Sequence, residues 1–262
     1  MDFIQRIPYS ENLKDTIAEV INKSRVTVII EVPDIDISQY YVELGEAVGM
    51  LFRKDVDPIN KKIIDNSWTT VKFDPRYIEQ TYKHSNKHQP LHTDYCNASI
   101  NLDVVLLICE SAAVHGGATV FLDGALLVEL LKTYRPELFE KLQHHEVIFG
   151  RQPSPIFRNT VKVISFDQHG PIVNWNYAVV APDNTPEVLA MAEELHDFLE
   201  NYVMFAGIPE PVYLKKGEAV FMHDQRLLHG RNAFLGDRSL LKGGIATTDA
   251  EAIKAKLKQL NF

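Results

Sequence analysis

One short stretch restricts the fold more than any other, Pro90-Leu91-His92-Thr93-Asp94-Tyr95. Pro90 removes an amide donor and biases the residue before it away from helix, which is compatible with an extended segment. In an extended chain residues two apart share a face, and His92 and Asp94 therefore point the same way. A neutral imidazole beside a carboxylate is two thirds of a metal site. The third ligand has to come from elsewhere, and His229, within Leu227-Leu228-His229-Gly230-Arg231, fits. The chain must then lay two distant segments side by side.

The remaining pattern supplies strands to do this. Residues 26–32 are short and β-branched and stop at Pro33. Residues 68–73 alternate, and 101–109 form a strongly apolar strand. Gly116-Gly117 allows a tight turn with close backbone approach, and 119–122 continues as a strand. Further strands are expected at 217–222, 227–231 and 238–247. Helical spacing marks 10–23 with Ser10 as N-cap, then 40–52, then 125–143 with a nick at Pro136. Thr185-Pro186-Glu187 is a helix start, running to about Phe205, and 249–262 is a C-terminal helix. Residues 146–180 mix short strands and polar turns, and part of them is expected to cover the site as a lid. No repeat or composition shift marks a second domain, so 1–262 reads as one β-rich body interrupted by helices.

Composition excludes several classes. With 27 basic and 35 acidic residues the net charge is −8, which argues against nucleic acid or an anionic membrane as partner. No apolar run is long enough to span a bilayer, and the N-terminus lacks a signal-peptide core. Cys96 and Cys109 are the only cysteines. They make no disulfide framework and fit a reducing cytoplasm, and both read as packing residues. His84, His88 and His92 fall at i, i+4 and i+8, which suggests a helical metal site. Pro90 argues against an unbroken helix there, leaving His84 and His88 as surface or pocket-rim residues.

Taken singly these motifs are weak. His-X-Asp pairs are common, an apolar-flanked histidine is usually a core residue, and a Gly-Gly pair is usually a turn. Order and company change that. Two histidines and one carboxylate leave one face of a metal open, the ligand set of non-haem Fe(II) oxygenases. The strings 91–123 and 214–249 together resemble the taurine dioxygenase/TfdA family, which includes the clavaminate-synthase-like enzymes. Leu91-His92-Thr93-Asp94 resembles its proximal iron motif and Gly116-Gly117-Ala118-Thr119 its Gly-Gly-X-Thr strand entry. Gly217-Glu218 with His223-Asp224-Gln225-Arg226-Leu227-Leu228-His229-Gly230-Arg231 resembles its distal histidine motif, and 238–249 its final strand.

The resemblance implies a mainly β chain with flanking helices, a double-stranded β-helix of the jelly-roll, cupin-like kind. It implies Fe(II) on His92, Asp94 and His229, with 2-oxoglutarate and O2 as co-substrates and succinate and CO2 as products. Thr119 is then the hydroxyl for the far carboxylate of 2-oxoglutarate, and Arg238 its cation, with Lys242 as the fallback. Arg238 and Lys242 are four apart on a strand and share a face, and arginine is the better fork for a carboxylate. Tyr95, Asn97, Trp175 and Asn176 are expected beside the prime substrate, a small polar metabolite such as a free amino acid. Asp224 and Arg226 read as hydrogen-bonding residues at the turn before His229. Related halogenases have a small residue in place of the metal carboxylate, so Asp94 favours hydroxylation. Two other readings remain open: a cupin-like metal-dependent hydrolase or isomerase, and a non-catalytic jelly-roll binding module. A homo-oligomer is compatible with all of them.

Overall fold

The computed structural model describes residues 3–56, 63–76, 82–100, 102–150 and 157–259. Expectations for residues 57–62, 77–81, 151–156 and 260–262 lie outside the described residues.

The apolar run at 104–109 is the centre of the molecule. It forms β6 (Val104–Ser111), and its alternation explains why the run is continuous. Val105, Leu107 and Cys109 face one apolar cluster, while Val104, Leu106 and Ile108 face another. A strand buried on both faces needs no polar side.

Around it stand β1 (Ile4–Pro8), β2 (Val26–Ile30), β3 (Met50–Phe52), β4 (Thr69–Lys72), β9 (Ala219–His223) and β11 (Ser239–Ala246). They form a seven-stranded sheet in the order β1-β2-β9-β6-β11-β3, with β4 also pairing to β11. A four-stranded sheet faces it, built from β5 (Gln89–His92), β7 (Thr119–Asp123), β8 (Glu210–Val212) and β10 (Leu227–Arg231), in the order β8-β7-β10-β5. Phe121, Leu227, Val105, Leu107 and Leu240 fill the space between the sheets. Helices cover both outer faces. Ile17–Ile21 and α1 (Ile37–Val48) pack Ile17, Tyr41 and Leu44 on the large sheet. The helices α2 (Gly124–Tyr134), α3 (Pro136–His144) and α4 (Pro186–Phe198) pack on the small one through Leu127, Leu138 and Leu195. This is the mainly β, double-sheet architecture expected of a jelly roll.

Several boundaries differ from the sequence reading for identifiable reasons. The strand β1 was not expected. It is held by parallel pairing to β2, a non-local partner that no local pattern announces. The helix expected at 10–23 is a turn at Leu13–Asp15 followed by Ile17–Ile21. The helix at 125–143 divides at Pro136, which opens α3 at its first helical position. Thr185 caps α4 as expected, its hydroxyl accepting from the Val188 amide. That helix continues as a π-turn at Leu199–Met204. The C-terminal helix is α5 (Ala250–Gln259).

Arg226, in the turn before β10, donates to Asp167 of the hairpin at 164–173. That bond, helped by the His169 amide, holds the Asp167 carboxyl down to about 2. A depressed folded value means the contribution is complete above the unfolded value near 3.9 and is lost as pH falls toward 2. Asp167→Asn is therefore expected to lower the urea midpoint at pH 6, with the gap to wild type narrowing toward pH 2.

Candidate metal centre and its cavity

Pairing of β10 with β5 sets His229 directly opposite His92, with ring centroids 4.2 Å apart. Asp94 lies just past the end of β5. Its Oδ1 is 3.6 Å from His92 Nε2 and its Oδ2 is 3.6 Å from His229 Nε2. One donor atom from each of the three residues lies within 4.8 Å of the others, and among the described residues this is the one such group.

The donor set suits a divalent cation. His92 Nδ1 lies 2.8 Å from the Pro90 carbonyl, which can only accept. Nδ1 therefore carries a proton, and Nε2 is the ring atom that faces Asp94. Burial, then the neighbouring His92, pushes His229 down to about 3, so it is neutral. Burial pushes Asp94 up, but the Lys242 ammonium 2.6 Å away outweighs it and holds the carboxyl well below its usual range. Among the described residues, none donates a hydrogen bond to the buried Asp94 Oδ2. A cation at the centre would satisfy it. Among the described residues, His229 Nδ1 is also buried without a hydrogen-bond partner.

The triad opens onto a cavity of about 290 Å³. Thr119, Arg231, Arg238 and Lys242 also line it. Thr119 and Arg231 are cross-strand partners, one side-chain step along the sheet from His229. Arg238 donates to the Gly117 carbonyl at 3.1 Å and to Thr119 Oγ1 at 3.5 Å, and it is 6% exposed. The close approach needs Gly116-Gly117, both at positive φ. A Cβ on Gly116 would meet the Ala233 carbonyl oxygen at 2.2 Å. Arg231 donates to the Tyr82, Ser85 and Lys87 carbonyls and thereby fixes that loop to β10. Burial pushes both guanidinium groups down to about 10, yet both remain charged at neutral pH. Lys242, the fallback cation, lines the same cavity with its Nζ 2.6 Å from Asp94 Oδ1.

The expected substrate residues separate. Asn176 lines the cavity, while Tyr95, Asn97 and Trp175 are not among its lining residues. Trp175 is fully buried in the outer apolar cluster with Leu91 and Val173. Its main chain is bonded to Thr93 in both directions, and its ring lies in that cluster and not on the cavity wall. Tyr95 stacks under Lys242, 5.5 Å from Nζ to ring centroid. Trp175→Phe is expected to cost about 1–3 kcal/mol of stability and to leave substrate KM unchanged, read by urea unfolding and steady-state kinetics. His84 and His88 stay outside the triad. His84 bonds the Lys72 carbonyl, and His88 pairs with Glu200 at 2.6 Å.

The family described as "Taurine catabolism dioxygenase TauD, TfdA family" matches residues 4–244. The chain belongs to this family. It is an Fe(II)- and 2-oxoglutarate-dependent dioxygenase, which sets aside the hydrolase and binding-module readings. Similar solved structures share the fold of this dioxygenase at low identity. One is an asparagine oxygenase in complex with Fe(II), 2S,3S-3-hydroxyasparagine and succinate, with TM-score 0.67 and 15% identity, covering 91% of this chain and 80% of that one. Another is the non-heme iron oxygenase OrfP in complex with Fe and alpha-ketoglutaric acid, with TM-score 0.64 and 16% identity, covering 93% and 81%. A third is PvcB from Pseudomonas aeruginosa, with TM-score 0.61 and 14% identity, covering 90% and 80%.

Sequence reasoning missed several residues around the dioxygenase site. Gln89 lines the cavity, with Nε2 3.1 Å from His92 Nε2. Glu200, in the π-turn, accepts from the Leu91 amide at 3.2 Å and so holds the open edge of β5. Gln89 was not legible, since alternation sets it on the face of Leu91 and its place opposite Arg231 lies past a register shift in the pairing of β10 with β5. Nor was Glu200, since its partner is more than a hundred residues away.

Proposed function

We propose that His92, Asp94 and His229 hold the Fe(II), and that Thr119 and Arg238 hold the far carboxylate of 2-oxoglutarate. The observation that carries this reading is the buried Arg238 on the Thr119 hydroxyl, one step along the sheet from three converging donor atoms. A charge-assisted hydrogen bond in such a site contributes about 1.5–3 kcal/mol. When bound, Fe(II) with 2-oxoglutarate supplies O2-driven oxidation of an unactivated C–H bond, with succinate and CO2 released.

This chain's residues do the rest. Lys242 holds Asp94 Oδ1 and so fixes the carboxylate. Pro90 fixes the His92 tautomer. Leu107 and Leu240, on the cavity wall, exclude water from the reacting face. Retention of Asp94 supports hydroxylation rather than halogenation.

The prime substrate on this reading is a small polar metabolite, a free amino acid in particular. About 290 Å³ is at the low end for small-molecule pockets, and 2-oxoglutarate takes part of it. The asparagine oxygenase and OrfP structures contain hydroxyasparagine and hydroxy-L-Arg, which supports the same class. We assign residues 1–262 to one catalytic domain with 146–180 as its lid, supported by Asn176, Tyr177 and Ala178 on the cavity wall. Among the described residues no helix is long and apolar enough to cross a membrane, and the proposed location is the cytoplasm.

Incubating the protein with Fe(II), 2-oxoglutarate and each of the common amino acids tests the substrate class. At least one should stimulate succinate formation and gain one oxygen atom by mass. If none does while uncoupled 2-oxoglutarate turnover persists, the amino-acid reading fails and the cofactor reading stands.

A further inference from the structure

Asp94 lies beyond the last residue of β5, in a bend where no strand ladder holds its backbone. A metal ligand in such a place has to be positioned by something else. The amides of Asp94 and Tyr95 both point at one carboxylate, that of Asp224. Asp94 N donates to Oδ1 at 2.8 Å and Tyr95 N donates to Oδ2 at 3.0 Å. Asp224 is completely buried, and its own amide donates to the Asp103 carbonyl at 3.0 Å. It belongs to the turn Asp224–Arg226 that leads directly into β10 and His229. That turn is itself fixed, by Gln225 on Asn174 and by Arg226 on Asp167 and on the Gly170 and Pro171 carbonyls.

We propose that Asp224 is a positioning residue for the metal centre: its carboxylate clamps the two consecutive amides at Asp94 and Tyr95, and so ties the carboxylate ligand to the segment that carries His229.

The cost of the arrangement supports a specific role. A buried carboxylate is expensive unless its oxygens are hydrogen-bonded, and a second carboxylate close to Asp94 adds like-charge repulsion. Apolar or amide side chains could fill the space without that repulsion. Only a carboxylate presents two equivalent acceptors to two parallel N–H groups. An asparagine there would satisfy one amide and set its own NH2 against the other. The bend would then rotate, and Asp94 with it. Thr93, between His92 and Asp94, donates its amide to the Trp175 carbonyl at 2.6 Å, and Leu91, on the other side of His92, donates its amide to Glu200. Asp224 completes a set of acceptors along the edge of the motif that has no neighbouring strand.

The proposal rests on reading Asp94 as a ligand, and the test separates the two. Fe(II) affinity is measured anaerobically, in the presence of 2-oxoglutarate, for the wild type, Asp94→Ala and Asp224→Asn. Thermal melting of each metal-free protein is recorded alongside. Partners of this kind typically affect metal affinity 10- to 100-fold, and Asp224→Asn is expected to weaken Fe(II) binding by about that factor. It is also expected to raise the ratio of 2-oxoglutarate consumed to product formed. A lowered melting temperature with wild-type Fe(II) affinity in the folded protein overturns the clamp and leaves Asp224 a structural residue. If Asp94→Ala itself leaves Fe(II) affinity unchanged, the ligand reading is what fails.

A second measurement needs no variant. Hydrogen exchange of the Asp94 and Tyr95 amides in metal-free wild-type protein should be slow at both positions. Exchange at the rate of an open loop would overturn a preformed clamp.

Discussion

Asp94→Ala is expected to reduce hydroxylation to background while the protein remains folded. Two neutral imidazoles then remain on a cation that prefers at least one anionic oxygen, and the remaining pair no longer fixes an open face. The same change removes the counter-ion of Lys242, whose ammonium lies 2.6 Å from the carboxylate. Leaving one partner of such a pair alone costs about 1–3 kcal/mol. The cost is at the lower end here, because the Lys242 side chain is 22% exposed and can turn toward water. A double variant, Asp94→Ala with Lys242→Met, should therefore recover stability without recovering activity. Circular dichroism with thermal melting, and product formation by mass spectrometry, check both halves. Full activity in Asp94→Ala would remove Asp94 from the metal.

Arg238→Ala is expected to raise KM for 2-oxoglutarate about 10- to 100-fold, the equivalent of one lost charge-assisted contact. The KM of the prime substrate should move far less. The guanidinium is nearly buried and donates toward Thr119 Oγ1 and the Gly117 carbonyl, which sets its fork at the cavity wall. Arg238→Lys should restore only part of the affinity, since an ammonium cannot make the bidentate contact. Thr119→Val should give a smaller loss with the same selectivity. An unchanged 2-oxoglutarate KM in Arg238→Ala would move the role to Lys242 and break the division of labour between the two cations.

Much of this site was legible because its spacing is local. His92 and Asp94 share a face through the two-residue period of extended chain. Arg238, just before β11, and Lys242 within it both reach the cavity wall, although the pairing of β11 with β6 shifts register between Ser239 and Leu240. Gly116-Gly117 announced a close backbone approach, which Arg238 makes at the Gly117 carbonyl. What spacing could not say is which of the two cations reaches which partner. In the structure Lys242 meets Asp94, while Arg238 meets the Gly117 carbonyl and the Thr119 hydroxyl.

Trp175 went the other way. An aromatic near a proposed lid reads equally well as a pocket wall or as core. Its main-chain bonds to Thr93 decide for core, and nothing in the local sequence encodes them. Strand β1 and the Glu200 contact were hidden for the same reason, each depending on a partner far along the chain. Asp224 was visible as a turn residue. Its second partner, the bend at Asp94, was visible only once the two sheets were assembled.

The measurement that tests the central claim most directly is anaerobic titration of the metal-free protein with Fe(II) and 2-oxoglutarate, followed in the visible range. A weak metal-to-ligand charge-transfer band is expected with wild type and should be absent with His229→Ala. Iron binding without that band, or a band that survives His229→Ala unchanged, would contradict the assignment of His92, Asp94 and His229 as the iron ligands.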